Sequence, residues 1–296
     1  MLKRNKVCLF ACILVFSSAV IPVASMTNKN MSRATVNGAD VPIWDIGDEW
    51  TYHYTESMTF GLNYTLSGDI TFKVVDETGG SYVLEGKSRP HGGFFLSDLF
   101  AGTDSILKKL ILKTTVFTTL TMKLQIRKSD LGLESFNERI KGIFLVKIGP
   151  ITLPLPIQAE KYMDVEFDPT WKIMPFPVYD GKYGNLTSTE IYFNDLFINM
   201  FWGRVPVDGP YKDLTFIVTP LPYTCSSEQI KVDAGTFDVF KVSAEREDDY
   251  RFVSYYSEEV GNVVKEEICK CFAGGTVWHS LILELTDWNY KQLIGE

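Results

Sequence analysis

Two stretches of the chain decide its fold: Val232-Asp-Ala-Gly-Thr-Phe-Asp-Val-Phe-Lys-Val242 and Tyr255-Tyr-Ser-Glu-Glu-Val-Gly-Asn-Val-Val-Lys265. Phe240, Val242 and Ala244 share one face of an extended chain, and polar residues alternate with them. Gly235 and the run 260–262 are turn signals, because Gly and Asn tolerate positive φ. Strand, turn and strand in succession predict antiparallel hairpins.

The same alternation occurs elsewhere along the chain. Trp50, Tyr52 and Tyr54 alternate with polar residues, and the run 62–74 places apolar and polar side chains on opposite faces. Similar patterns recur at 116–126, where Val116 falls on the apolar face, at 163–167 and at 276–288. Strands with one polar face are typical of antiparallel sheets that have one side in water. About ten strands are expected, arranged as a sandwich, a barrel or a strongly curved open sheet.

The N-terminus has the three parts of a secretory signal. Lys3, Arg4 and Lys6 precede an apolar run over 7–23, which ends in small residues. We predict a signal peptide over 1–25 and a flexible polar tether over 26–40, followed by a single antiparallel β domain over 41–296. Two alternatives remain open: an uncleaved N-terminal anchor, and a domain split near 150–185, where prolines cluster.

Charge limits the partners of the exported chain. Without residues 1–25 it has 26 basic and 37 acidic residues, a net charge of −11. Nucleic acid and anionic lipid surfaces favour basic proteins, so neither is an expected partner. No second long apolar run follows residue 25, so membrane contact is expected only through an uncleaved N-terminal segment.

Cysteines and sequons are candidate sites of covalent modification. Cys225, Cys269 and Cys271 follow the predicted signal peptide. An exported protein would pair Cys225 with one of the other two, with a metal site or three unpaired thiols as the alternatives. Asn63 and Asn185 lie in N-glycosylation acceptor patterns, as does Asn30.

Motifs of common enzyme classes are absent from the sequence. There is no His-Glu-x-x-His, Gly-x-Ser-x-Gly or phosphate-binding loop. His53 lies on the polar face of its strand and is predicted to be solvated, whereas His279 shares a face with leucines and is predicted to be a core residue. Carboxylates are plentiful but no pair stands out, so no enzyme activity, cofactor or metal is expected, and a carboxylate hydrolase is the alternative.

Two apolar stretches do not alternate. They lie at 94–112 and 190–202 and are expected to form short helical or loop flaps over the open side of the sheet. Flaps would complete the core, cover a ligand cavity as a movable lid, or contact a membrane. The candidate ligand-binding residues are Phe94, Phe95, Phe100, Phe197, Phe201 and Trp202.

Three phrases carry a family resemblance: Trp44-x-x-Gly-Asp-x-Trp-x-Tyr52, the run 234–242, and Tyr255-Tyr-Ser-x-Glu-Val-Gly-x-Val-Val-Lys265. They resemble DUF3108-like families, the lipoprotein-localisation-factor (LolA/LolB-like) proteins and uncharacterised exported archaeal proteins. The match covers only about 41–55 and 230–268. It implies a curved antiparallel sheet, a half-open β-barrel around an apolar concavity that takes lipid acyl chains in the better-known relatives. It transfers no binding residue.

Together these observations predict an exported, extracellular or cell-surface protein without enzymatic activity. We expect it to hold a lipid or other apolar ligand in the concavity of a curved sheet. The alternative is a cell-surface structural or interaction protein with a filled core and no ligand.

Overall fold

The computed structural model describes residues 38–58, 64–95, 110–148, 151–172, 174–200, 203–206, 215–218, 220–246, 250–271 and 277–290. The predicted signal peptide lies outside these residues, as does the tether up to residue 37. Nineteen strands and no helix occur in the described ranges. The all-β prediction is confirmed, and the strand count is nearly twice the expected ten.

The strands are β1 (Gly38–Ala39), β2 (Glu49–Met58), β3 (Tyr64–Thr78), β4 (Ser81–Ser88), β5 (His91–Phe95), β6 (Leu110–Thr114), β7 (Thr119–Arg127), β8 (Leu133–Ile148), β9 (Ile151–Trp171), β10 (Val178–Tyr179), β11 (Tyr183–Leu186), β12 (Thr189–Met200), β13 (Gly203–Pro206), β14 (Thr215–Val218), β15 (Leu221–Val232), β16 (Gly235–Arg246), β17 (Tyr250–Ser257), β18 (Asn262–Cys271) and β19 (Val277–Asn289). Seventeen of them form one sheet, and β1 pairs with β10 in a second.

All strand pairs in the large sheet are antiparallel, and most join neighbours along the chain. The ladder β15–β16–β17–β18–β19 continues from the last strand into the first long one, because β19 pairs with β2. From β2 it passes through β3, β4, β7, β8 and β9 to β12. The predicted hairpins at 232–242 and 255–265 therefore belong to the ladder that joins the C-terminal strands, through β19, to β2 near the N-terminal end of the described chain.

One face of the sheet is buried, as the alternation predicts. In β2, Trp50, Tyr52 and Tyr54 are buried, whereas His53 and Thr55 are exposed. β3 buries Leu66, Ile70, Phe72 and Val74, and β9 buries Met163, Val165 and Phe167 in the same way. These side chains belong to one continuous hydrophobic core, so the sheet has one dry side and one wet side.

The sheet coils tightly on its dry side. β17 and β18 lie between β16 and β19, a separation of about 14 Å in a flat sheet. Nevertheless, the rings of Phe237 in β16 and Trp288 in β19 lie 5.2 Å apart. The Tyr52 hydroxyl likewise reaches past β19 and donates to the Val263 carbonyl at 2.8 Å. A coiled sheet of this kind encloses its apolar face.

The predicted flaps are strands where the structure describes them. Residues 189–200 form β12, which pairs with β9, β13 and β14. Residues 91–95 and 110–114 form β5 and β6, which pair with each other, while 96–109 lie outside the described residues. The prediction of helical or loop flaps is wrong for these segments. Their apolar runs do not alternate, and continuous apolar runs do not by themselves separate a strand from a helix.

Smaller details of the prediction also change. Val116 was placed on the inner face but lies in the exposed turn between β6 and β7. Ala39, at the end of the predicted tether, is fully buried in β1. Pro154 and Pro156, in the proline-rich region considered as a domain boundary, lie in a segment of β9 whose described register joins it to β8 alone. Proline is tolerated at sheet edges because it has no N–H to donate.

Candidate ligand-binding site

Three glutamates lie on the dry face of the sheet. Glu56 in β2 and Glu138 in β8 have no exposed surface, and Glu266 in β18 is 1% exposed. Each occupies an inward position of its strand: Glu56 follows the buried Tyr54 by two residues, and Glu266 precedes the buried Ile268 by two. Burying a charged group is costly unless it is paired, so the surroundings of each glutamate matter.

Glu56 is paired with the core histidine. Its Oε1 lies 2.9 Å from Nε2 of His279, and both side chains are fully buried. The register sets His279 opposite Met58 and Leu281 opposite Glu56, which brings the two side chains together diagonally across β2 and β19. His279 is therefore a hydrogen-bonded core residue, as predicted, although its partner was not foreseen.

Glu138 is paired with a lysine. The Lys161 ammonium in β9 donates to Oε1 of Glu138 at 2.7 Å, and 16% of the lysine side chain is exposed. Tyr54 lies between this pair and Glu56: burial raises its pKa, and the nearby charges of Glu56 and Glu138 raise it further. The Tyr54 hydroxyl thus remains protonated beside two acids.

Glu266 has surroundings of a different kind. Neither of its carboxyl oxygens has a hydrogen-bond partner within the described part of the chain. Directly opposite it in β17 is Ser254, which is fully buried and whose hydroxyl also has no such partner. Burial raises the pKa of Glu266 well above its usual value. The raised pKa favours the protonated carboxyl, which can both donate and accept hydrogen bonds.

The two groups form a small polar site in an apolar wall. Phe252 and Ile268 are buried on one side of the pair in β17 and β18, and Leu283 lies opposite Glu266 in β19. Tyr52 is close enough for the Glu266 charge to raise the pKa of its phenol, after burial as the main cause. A carboxyl and a hydroxyl so placed bind a polar group by hydrogen bonds and an apolar body by contact.

Metal binding has no support in the described ranges, where no group of three His, Cys, Asp or Glu side chains is close enough to hold an ion. Sequence reasoning missed all three inner glutamates. A signal existed: Glu138 falls in phase with the apolar Phe136 and Ile140. An acid in phase with an apolar face is a candidate buried group.

The structure describes the backbone at three of the six residues of the predicted aromatic site. Phe94 and Phe95 belong to β5 and Phe197 to β12, but their side chains lie outside what is described, as do Phe100, Phe201 and Trp202 entirely. β6, β8 and β9 separate β5 from β12 in the sheet. The strand of Phe94 and Phe95 is therefore not a neighbour of the strand of Phe197, and the role of all six residues in ligand binding stays a prediction.

The predicted disulfide is wrong for this fold. Cys225 lies in β15, whereas Cys269 and Cys271 lie in β18, with β16 and β17 between them. Neither Cys225 nor Cys269 takes part in a disulfide in this structure. Cys225 is a buried free thiol.

Two remaining predicted sites lie on the wet side. His53 is about half exposed, as predicted, and its Nδ1 lies 2.9 Å from Asp69 Oδ1. Asn185 is exposed in β11, so a glycan would fit there, while Asn63 lies outside the described residues. None of the described residues belongs to a helix of the length and hydrophobicity that crossing a bilayer requires.

Comparisons with known proteins give no family. No family model matches the chain, and no curated protein matches it. Among solved structures, the chain is similar to the crystal structure of a β-barrel-like protein of domain of unknown function DUF1849 from Brucella abortus. The two share 8% sequence identity with a TM-score of 0.30, and the match covers 84% of this chain and 99% of that one. The resemblance to DUF3108-like and LolA/LolB-like proteins stays a prediction.

Proposed function

We propose that this chain is an exported, non-enzymatic binding protein that holds an amphiphilic small molecule against the dry face of its coiled sheet. The polar group of the ligand hydrogen-bonds to Glu266 and Ser254, and its apolar body lies along the neighbouring inward side chains. The observation that carries the proposal is the Glu266–Ser254 pair, two buried polar groups with no hydrogen-bond partner among the described residues.

The energetics favour a ligand with both polar and apolar parts. A buried polar group without a hydrogen bond costs about 1–3 kcal/mol, so a ligand group that bonds to both residues removes a penalty from the unliganded protein. Each methylene of an alkyl body adds about 0.8 kcal/mol when it leaves water. Alcohols, amides and protonated carboxylic acids have a donor and an acceptor that match a protonated carboxyl, the form that burial favours at Glu266.

The absence of enzymatic activity is part of the proposal. Glu56 and Glu138 lie on the same dry face but are engaged with His279 and Lys161. Neither is directly opposite Glu266 in the sheet register, where Ser254 and Leu283 occupy those positions. The pair of facing acids that a carboxylate hydrolase uses is therefore not what surrounds Glu266.

Native mass spectrometry tests the proposal on the chain purified from a host that exports it. We expect a discrete additional mass that organic extraction removes, and uptake of a fluorescent long-chain alcohol by the extracted protein. Glu266→Leu and Ser254→Ala should lose both signals. Glu267→Leu is the matched control, because Glu267 is the next residue of β18, points to the wet face and bonds to Lys265.

The opposite outcome favours the second candidate function. A bare protein mass together with no uptake of the alcohol would overturn the binding proposal and favour a cell-surface interaction protein. One surface feature supports that alternative: Val116 and Phe117 expose 75% and 69% of their surface at the turn between β6 and β7. Adjacent exposed apolar side chains are typical of contact sites.

A further inference from the structure

A cleft of about 180 Å³ lies at the end of the sheet where β17 turns into β18. It is bounded by the segment that follows β1, by the β17–β18 turn and by the residue after β19. Its lining residues are Asp40, Val41, Pro42, Ile43, Tyr256, Glu258 and Tyr290. None of them is basic, and none belongs to the Glu266 site.

The cleft is negatively charged. Asp40 and Glu258 face it from different segments. Although Glu258 is exposed overall, the cleft walls partly desolvate its carboxyl; this desolvation, and then the charge of Asp40, raise its pKa. The two acids are thus close enough to repel each other. No cation contributes to the shift of the Glu258 pKa, so a positively charged ligand would relieve the repulsion.

Two phenol rings form the remaining polar wall. Tyr256 is 1% exposed, and no described residue hydrogen-bonds to its hydroxyl. After burial, the groups that raise its pKa are Tyr290, Glu258 and Asp40, all of which line the cleft. This places the Tyr256 hydroxyl at the cleft wall. A hydroxyl at the wall of a cleft is a hydrogen-bonding group that a ligand can reach.

We propose that this cleft binds a small organic ammonium ion, with its charge between Asp40 and Glu258, a contact to the Tyr256 hydroxyl and its carbon atoms against the ring of Tyr290. Aromatic faces attract alkylammonium cations, and the attraction grows when the cation is partly desolvated. An oxygen-seeking ion such as Ca²⁺ takes six to eight oxygen ligands, whereas only two carboxylates line this cleft.

Two kinds of ammonium fit this chemistry, and the test separates them. A primary amine donates hydrogen bonds to both carboxylates and to the Tyr256 oxygen, as a lysine side chain would. A quaternary ammonium has no N–H, so it depends on the rings and on charge alone. Titration of the full chain with n-butylammonium and with tetramethylammonium, followed by isothermal calorimetry at low ionic strength, compares them directly.

Variants at the two acids identify the site. Asp40→Asn and Glu258→Gln are each expected to weaken binding of the preferred cation at least tenfold. Glu259→Gln is the matched control, since Glu259 is the adjacent exposed acid of the same turn and does not line the cleft. It should change the affinity less than twofold.

Three results would overturn the proposal. One is no saturable binding of either ammonium ion at concentrations up to about 1000-fold above the protein. Another is equal weakening by Glu259→Gln, which would indicate a diffuse surface effect. The third is hydrolysis of nitrophenyl glycosides that Glu258→Gln abolishes, because two acids in one cleft also serve glycoside hydrolases. None of these outcomes bears on the bound mass expected at Glu266, so the two proposals fail separately.

Discussion

Two regions of the coiled sheet each bury a glutamate on the dry face, but they surround it with different side chains. In the β8–β9 region, Glu138 has a lysine ammonium at 2.7 Å. In the β17–β18 region, Glu266 is equally buried but faces a serine and apolar side chains. Both residues are in phase with the apolar pattern of their strands. The same side chain on the same face of the sheet therefore has two different surroundings, set by what the next strand contributes.

The difference separates a structural role from a binding role. Glu138 has an ammonium partner at Oε1, although its Oε2 has no hydrogen-bond partner among the described residues. Neither oxygen of Glu266 has such a partner, and the Ser254 hydroxyl opposite it has none either. Natural interiors rarely keep such groups without a reason. This contrast is why we propose ligand binding for the β17–β18 region and a role in stability for the β8–β9 region.

Removal of Glu138 should have the largest effect. Glu138→Leu removes the carboxyl that accepts the Lys161 hydrogen bond from a mostly buried ammonium, so the free energy of unfolding should fall by about 3 kcal/mol. Urea denaturation at pH 7 measures this from the midpoint and slope. The double variant Glu138→Leu with Lys161→Met removes both charges and should regain most of the loss.

The double variant also serves as the control. If the effects of the two single substitutions simply add, Glu138 and Lys161 do not act as a pair. The β8–β9 region would then resemble the β17–β18 region, and the contrast between them would disappear.

The sequence predicted the two regions unequally. Alternation located the inner faces of β2, β3 and β9 because each strand has one polar face, which leaves a clear period of two. It failed at residues 189–200, where an apolar run without alternation hid a strand that pairs on both sides. Only the type of this element was predicted wrongly, because the all-β class followed from the other strands.

The candidate site was less predictable than the fold. The alternation of apolar residues along each strand is enough to identify Glu138 and Glu266 as inward residues. It does not tell which of them has a cation nearby. Lys161 is 23 residues from Glu138 along the chain and reaches it only because β8 and β9 pair in that register. Such contacts between strands depend on register and coiling, which a single sequence does not specify.

Glu266 should show its state in the pH dependence of stability. Its pKa is raised in the folded protein, so the folded state binds more protons than the unfolded state above pH 4.3, the ordinary value for Glu. Stability from this group is therefore greatest at low pH and falls by about 1.4 kcal/mol per pH unit, up to the folded pKa. Glu266→Gln removes this fall, so its stability should exceed that of the natural protein by a margin that widens as the pH rises from about 4.3 towards the folded pKa.

Unfolding in urea between pH 4.5 and pH 7 measures that difference. Glu267→Gln, on the wet face, should follow the natural protein throughout. Parallel curves for the natural protein and Glu266→Gln would contradict a raised pKa, and would indicate that solvent or a cation reaches the carboxyl. The β17–β18 region would then be no drier than the surface.

The smallest expected effect is on the reactivity of a single thiol. Cys225 lies in one cross-strand row with Val242, Ser254 and Glu266. Burial raises its pKa to about 11, although the charge of Lys182 acts in the opposite direction. Since the thiolate is the reactive form, iodoacetamide at pH 8 should modify Cys225 about a hundredfold more slowly in the folded protein than in urea.

Peptide mass spectrometry over a time course measures the modification at Cys225 separately from the other cysteines. Slow modification of Cys225, together with the pH-dependent stability expected from Glu266, would mean that solvent is excluded from the whole row. A ligand would then bind in an apolar interior. Rapid modification of Cys225, while Glu266 still causes the expected pH dependence of stability, would indicate that solvent reaches the interior at β15 rather than at β18. Rapid modification with no effect of Glu266 on pH dependence would contradict both the dry row and the division of roles between the two regions.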